Sequence, residues 1–184
     1  MKAVPASKKK RQGGQAMMVE MALSFLPFFA LIIGIADFSM AAFMSGLFQD
    51  AVREGTRFAI TYNLTYNGTT YTSQTAAIRA VVINNSLGFI TSSNVANYVV
   101  VNYYTPDNLS TPATAGQLPK VVNGVNIQYL NQSGNVVAVS VQSYPWNWMV
   151  PLPNFMPGTG LTLSALSLDV LQPLPVGQSV PPSP

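Results

Sequence analysis

The stretch Gln15–Ile60, QAMMVEMALSFLPFFALIIGIADFSMAAFMSGLFQDAVREGTRFAI, governs the reading of the whole chain. Between Glu20 and Asp37 lie sixteen uncharged residues, nine of them Leu, Ile or Phe. At about −0.5 kcal/mol each for membrane insertion, those nine supply roughly −4 to −5 kcal/mol. The two acids are separated by about 26 Å along a helix, close to the thickness of a bilayer's hydrocarbon core. Both can therefore sit near opposite rims, whereas a carboxylate at the centre would cost roughly 2.5–3.5 kcal/mol. The segment from about 19 to 37 can span a membrane.

The helical pattern runs on past Asp37. Ala41, Ala42, Ser45 and Gly46 are small enough for close helix approach, either to another subunit or to the protein's own body. Farther along, Phe48, Val52, Gly55 and Ala59 fall on one stripe, while Asp50, Arg53, Glu54 and Arg57 fall on the opposite side. Asp50 with Arg53, and Glu54 with Arg57, are spaced for i,i+3 ion pairs. A helix over 15–60 would be about 65–70 Å long, twice what a bilayer needs, so its second half must pack on something else. Pro27 removes one helical hydrogen bond and predicts a kink or local melting near Leu23–Pro27.

Upstream, Lys2, Lys8, Lys9, Lys10 and Arg11 place five of the chain's nine basic residues in a leader, 1–14, that contains no acid. Basic residues beside a first span are retained in the cytoplasm, so the body is expected on the far side. The same layout admits a secretory signal peptide, with a small-residue site at Gly34-Ile35-Ala36. Against removal, the apolar helical pattern passes Ala36 without a turn. The pI near 9.3 belongs to this leader, because the remainder has four basic and six acidic residues; no nucleic-acid partner is implied.

Composition narrows the chemistry. The chain of 184 residues has 48% apolar and 8% charged residues, no His and no Cys. That excludes Ser-His and Cys-His nucleophiles, thiolate redox centres, disulfides and zinc sites of the usual ligand types. The expectation is no enzyme, no cofactor and no metal. From residue 61 onward the charges are Arg79, Asp107, Lys120 and Asp169. The two acids are formally a glycosidase pair, but no other acid-base residue accompanies them.

The basic leader, Gly14, Val19-Glu20-Met21-Ala22-Leu23, Leu26-Pro27, Gly34-Ile35-Ala36-Asp37-Phe38 and Ala51-Val52-Arg53-Glu54-Gly55-Thr56-Arg57-Phe58-Ala59 together resemble the TadE/TadG-type pseudopilins of tight-adherence pili. The similarity covers about 45 residues. It implies a type IV pilin-like subunit with several partners: the inner membrane, a prepilin peptidase, other pilin or pseudopilin subunits and the Tad assembly platform. It further implies leader cleavage between Gly14 and Gln15, and assembly roles for Glu20 and Asp37. Glu20 corresponds to the pilin glutamate that meets the new α-amino group of a neighbouring subunit. Cleavage after Gly14 makes Glu20 the sixth mature residue, one later than the pilin pattern. Glu20 also reads as a carboxylate at the cytoplasmic rim, and Asp37 as one at the outer rim. Ala42, Gly46, Arg53, Glu54, Gly55 and Arg57 are the expected helix-packing positions.

The body, 61–171, reads as α+β. Residues 62–73 are loop-like, 74–87 have helical spacing with Gly88 as a stop, and 97–104 form a strand. Residues 124–130 and 135–144 form an expected hairpin around Asn131–Gly134. A fourth strand covers 161–171; its apolar parity shifts between Leu163 and Leu166, which predicts a bulge near Ala165 or burial of both faces. The fold expected is a long N-terminal transmembrane helix extending into a small pilin-like head, with a short helix and an antiparallel sheet of about four strands. The helix after Phe48 should cover that sheet. Trp146, Trp148, Met149 and Phe155, in a Pro-rich segment, either close the core or form a contact loop. The tail, 172–184, has five prolines and reads as disordered. Asn63, Asn67, Asn84, Asn108 and Asn131 each begin an N-x-S/T triplet, a weak glycosylation signal. A pseudopilin-like pilus subunit is the leading functional expectation; a membrane-tethered or secreted β-rich surface adhesin is the alternative.

Overall fold

A computed structural model describes residues 12–114, 120–122, 125–127, 129–148, 160–174 and 179–182. The described residues fall into two compact units: one holds residues 12–40 and 148, the other the remaining described residues from 41 onward. One helix, α1 (Gln12–Ala59), contributes to both. It begins three residues before the position expected from the pattern. It also continues through Pro27, so the local melting expected there is absent. Proline's fixed φ suits a helix, so α1 forgoes one hydrogen bond at Pro27 without ending there. In the first unit Met17, Leu23, Phe25, Phe28, Ile32 and Ile35 are all exposed. Among the described residues α1 is the one helix long and apolar enough to cross a membrane.

In the second unit α1 becomes two-sided. Ala41, Met44, Phe48, Ala51, Val52 and Ala59 are buried, and Asp50, Arg53, Glu54 and Arg57 face outward. Phe48 meets Tyr144 edge-on, with ring centroids 5.0 Å apart. The chain then forms a hairpin, β1 (Thr65–Tyr66) with β2 (Thr69–Thr70). Asn67 and Gly68 at its tip have φ of 47° and 77°, the signs a type I′ turn requires. The loop expected over this segment is therefore a short hairpin, and Asn-Gly is the sequence signal for it. Helix α2 (Gln74–Asn85) starts where the Ser73 side chain accepts a hydrogen bond from the Ala76 N–H at 3.2 Å. It buries Ala77, Ile78, Val81 and Val82.

A short helix, α3 (Val95–Tyr98), leads into β3 (Val99–Tyr104). A ribbon of β4 (Lys120–Val122) and β5 (Val125–Ile127) follows, and then β6 (Val136–Pro145) and β7 (Thr162–Val170). The main sheet is antiparallel in the order β3-β6-β7, with Val99 opposite Val141 and Val136 opposite Val170. The α+β expectation holds, with three strands in the main sheet and two two-stranded ribbons beside it. The expected pairing of 124–130 with 135–144 does not form. β5 pairs instead with β4, Val122 opposite Val125, because a two-residue connection closes a hairpin with less entropy loss than the longer Asn131–Gly134 turn.

The bulge expected near Ala165 lies beside it, with the extra residue on the paired strand. The register shifts between Val141 opposite Ala165 and Tyr144 opposite Leu163, where Ser143 of β6 has φ of 51°, and β7 keeps its alternation. Leu163 and Ala165 therefore face the core while Leu166, Leu168 and Val170 are exposed. On β6, Val137, Val139 and Val141 join the core formed with α1 and α2.

The last described residues depart from the expected disordered tail. The Tyr62 phenol donates to the Gln172 carbonyl at 2.9 Å, and Leu174 packs against the core. Pro181 is buried; its carbonyl accepts from Asn131 Nδ2 at 2.9 Å, and the Pro182 carbonyl accepts from the Gln74 N–H at 3.1 Å. Proline-rich chain has little backbone freedom to lose, and its carbonyls suit a surface that offers donors. An open cavity of about 530 Å³ lies between residues 61–65 and this strap.

Burial pushes the phenols of Tyr103 and Tyr62 up to about 12. Tyr103 adds to the shift of Tyr62. An unfolded chain ionises both near 10. Folding stability should therefore be fully present below about pH 10 and decline between about 10 and 12, as the unfolded state gives up protons that the folded state retains. Urea midpoints measured from about pH 8 to 11.5 test this, and Tyr103→Phe should flatten the decline.

Candidate assembly surface

The candidate site is the outward side of α1, together with the inward positions that fix its orientation. Gly55 is the decisive inward residue. A Cβ placed there would lie 2.9 Å from Val82 Cγ2, and 3.5 Å from both Ile78 Cγ2 and Val139 Cγ1. Glycine therefore lets α1 approach α2 and β6 simultaneously. Gly55 is a helix-packing position as the sequence suggests, and it packs against this chain's own head. Thr56 beside it is buried and donates from Oγ1 to the Val52 carbonyl at 2.8 Å, which satisfies a hydroxyl that would otherwise be costly.

With that side committed, Asp50, Arg53, Glu54 and Arg57 must face solvent. Arg53 Nη1 lies 3.9 Å from Asp50 Oδ1, and Arg57 Nη1 lies 3.6 Å from Glu54 Oε2. These are the i,i+3 pairs expected from spacing. All four side chains are between 51 and 80% exposed, so the pairs contribute little to stability and their partners are exchangeable. Ala42 and Gly46 are also exposed, and a Cβ at Gly46 would meet nothing within 4 Å.

The remaining expected site residues are dispersed. Gly14 is helical and exposed, a Cβ there would meet nothing within 4 Å, and Gln15 follows it in α1. Glu20 is exposed, and its carbonyl accepts from Ser24 Oγ at 3.0 Å. Asp37 is buried, only 2% exposed. Trp146 is half-buried against the core, and its backbone N–H donates to the Leu161 carbonyl at 2.8 Å. Trp148 is exposed, and Met149 and Phe155 lie outside the described residues. Trp146 thus closes the core, one of its two expected roles.

Asp107 lies in the turn after β3. Asp169 lies on β7, where its Oδ1 accepts from the Val170 N–H at 2.7 Å. Of the five asparagines that begin glycosylation triplets, Asn131 is buried and Asn63, Asn67, Asn84 and Asn108 are exposed.

One polar constellation has no counterpart among the sequence expectations. Gln74 is fully buried at the start of α2. Its Nε2 donates to the Ala59 carbonyl at 2.6 Å, and its Oε1 accepts from Asn131 Nδ2 at 2.6 Å and from the Tyr103 phenol at 3.5 Å. These bonds join the end of α1 to α2, β3, the turn before β6 and the C-terminal strap. No local pattern announces it, because its members lie far apart in the sequence; Gln74 and Asn131 alone are 57 positions apart.

Residues 14–57, 44 of the 184 positions, match the family model described as TadE-like protein. This is the segment that contains the apolar stretch between Glu20 and Asp37, the charged quartet and Gly55. No curated protein and no solved structure matches the chain.

Proposed function

With a TadE-like segment at residues 14–57 as its premise, we propose that this chain is a non-enzymatic, pseudopilin-like subunit of a Tad-type pilus or secretion system. It is held in the inner membrane by α1, with the N-terminus cytoplasmic and the head outside, and it joins other pilin-like subunits and the assembly platform through α1. The observation that carries this reading is the change along one helix. Its apolar faces are exposed from Met17 to Phe38, and from Ala41 to Ala59 one stripe is buried under the head. A soluble protein would not leave so much continuous apolar surface uncovered. The Lys and Arg cluster before the span supports the orientation.

In this reading a prepilin-type peptidase cuts after Gly14, where small, exposed backbone gives a protease access. Glu20 then lies in the first turns of the mature helix, where its carboxylate can meet the new α-amino group of an adjacent subunit. Either charge left alone between helices that have left water would be costly, so each requires the other. Mass spectrometry of the protein from its native membrane should find a chain starting at Gln15 or Ala16. A start at Asp37 would instead identify a removed signal peptide and overturn the proposal. Glu20→Ala should insert into the membrane normally yet be depleted from filaments; undiminished incorporation would reduce Glu20 to a rim residue.

A further inference from the structure

The charges of the second unit are distributed unevenly. After Asp37 the chain has eight charged residues, and four of them, Asp50, Arg53, Glu54 and Arg57, occupy two turns on one side of α1. The 124 residues from Thr61 onward share the other four. If these groups served only solubility, they would be more useful spread over the nearly uncharged head. Each guanidinium has five donors, and here each makes one long ionic contact, at 3.6 or 3.9 Å, while remaining open to solvent.

We propose that this quartet is a docking face for a second copy of the same chain, aligned in parallel, in which the two intrahelical ion pairs of each copy, four in all, are exchanged for four intermolecular ones. The sign order along the helix, minus, plus, minus, plus, identifies the occupant. A partner face of one sign would be repelled by half of the quartet, whereas a second identical quartet can satisfy all of it, and insertion in one membrane makes the two helices parallel rather than antiparallel. Asp50 meets Arg53 of the other copy and the reverse, and Glu54 meets Arg57 and the reverse. The axial offset within each pair is three residues, about 4.5 Å, and packed helices lie about 8–10 Å apart; an arginine side chain spans both. Insertion in one membrane makes copies parallel and raises their effective concentration, so weak pairs suffice to set alignment. In this respect the inference rests on the membrane-anchored reading above.

The absence of native cysteine makes the test clean. Gly46→Cys places a thiol on the outward side where a Cβ meets nothing in its own subunit, and Ala96→Cys on α3 is the exposed control. In native membranes, mild oxidation should link Gly46→Cys chains to each other at least fivefold more than Ala96→Cys chains. Two charge variants are then built on Gly46→Cys: Asp50→Lys with Glu54→Lys, and Arg53→Glu with Arg57→Glu. Each alone should lose about tenfold of its self-linkage, and co-expression of the two, distinguished by size tags, should restore linkage as the mixed dimer. Unchanged thermal midpoints for both variants establish that their heads fold.

Undiminished self-linkage of either variant, failure of the mixture to recover, or Gly46→Cys linking only to a different protein would overturn the proposal. So would absence of self-linkage in a chain that is still membrane-embedded. Failure of the anchored reading itself is separately visible, as chain recovered in the soluble fraction or starting at Asp37.

Discussion

Replacing Gly55 by leucine should destabilise the head by about 3 kcal/mol or more, enough to abolish cooperative unfolding in a domain of ordinary stability. The site faces Val82, Ile78 and Val139, and the first two lie on α2 while the third lies on β6. A larger side chain can be accommodated only if α1 lifts from both elements, which would uncover Phe48, Ala51 and Val52. Gly55→Ala is the informative intermediate. Alanine gains up to about 1 kcal/mol of helix propensity, while its Cβ falls 2.9 Å from Val82 Cγ2. In that background Val82→Ala should be less harmful than in the parent chain, because it removes the overlapping methyl; simple additivity would refute the contact. Unfolding followed by tryptophan fluorescence of the full chain in detergent reports on the head through Trp146, which packs against its core.

Gln74→Leu should cost about 2–4 kcal/mol, although leucine is of similar size and more apolar. The substitution leaves the Ala59 carbonyl without its side-chain donor and removes the acceptor that holds Asn131 Nδ2 at 2.6 Å. Buried polar groups deprived of partners lose their hydration without compensation. Asn131→Leu should be similarly harmful, and the double substitution clearly less so than the sum, since one network is broken in both cases. Hydrogen exchange gives an independent reading. Asn131→Leu should accelerate exchange of the Gln74 N–H, whose acceptor is the Pro182 carbonyl, because the adjacent Pro181 carbonyl loses its donor; an unchanged exchange rate would separate the strap from the network.

The contrast between these two sites explains what is legible in the sequence. The two faces of α1 are readable because Phe48, Val52, Gly55 and Ala59 repeat at helical spacing and the charged quartet occupies the complementary angles. Strands β3, β6 and β7 are likewise detectable from apolar alternation. Which strands pair is not, because alternation specifies a buried face without specifying a neighbour; β5, expected beside β6, pairs with β4 in the fold. The same limit applies to Leu166, Leu168 and Val170, whose parity is plain while the side on which the core lies is not. Of the candidate site, the charged residues and their intrahelical pairs follow from spacing alone. Gly55 is recognisable as a packing position, but its partners, Val82 and Val139, come from distant parts of the chain. The tail misleads for a related reason: proline content predicts the absence of regular structure, and it says nothing of the donors that Gln74 and Asn131 offer to the carbonyls of Pro182 and Pro181.

The strap also imposes a schedule. Gln74 touches Ala59, Asn131 and the Pro182 carbonyl, so the lock at the end of α1 is complete only when residue 182 has been delivered. A chain emerging N-terminus first must therefore hold the end of α1 without this final tie until residue 182 has been synthesised. Long-range closure of this kind is slow compared with helix formation, and its intermediates expose apolar surface. The head is thus built to become competent late, after α1 has already been secured, and any factor that attends its biogenesis would be needed most in that interval.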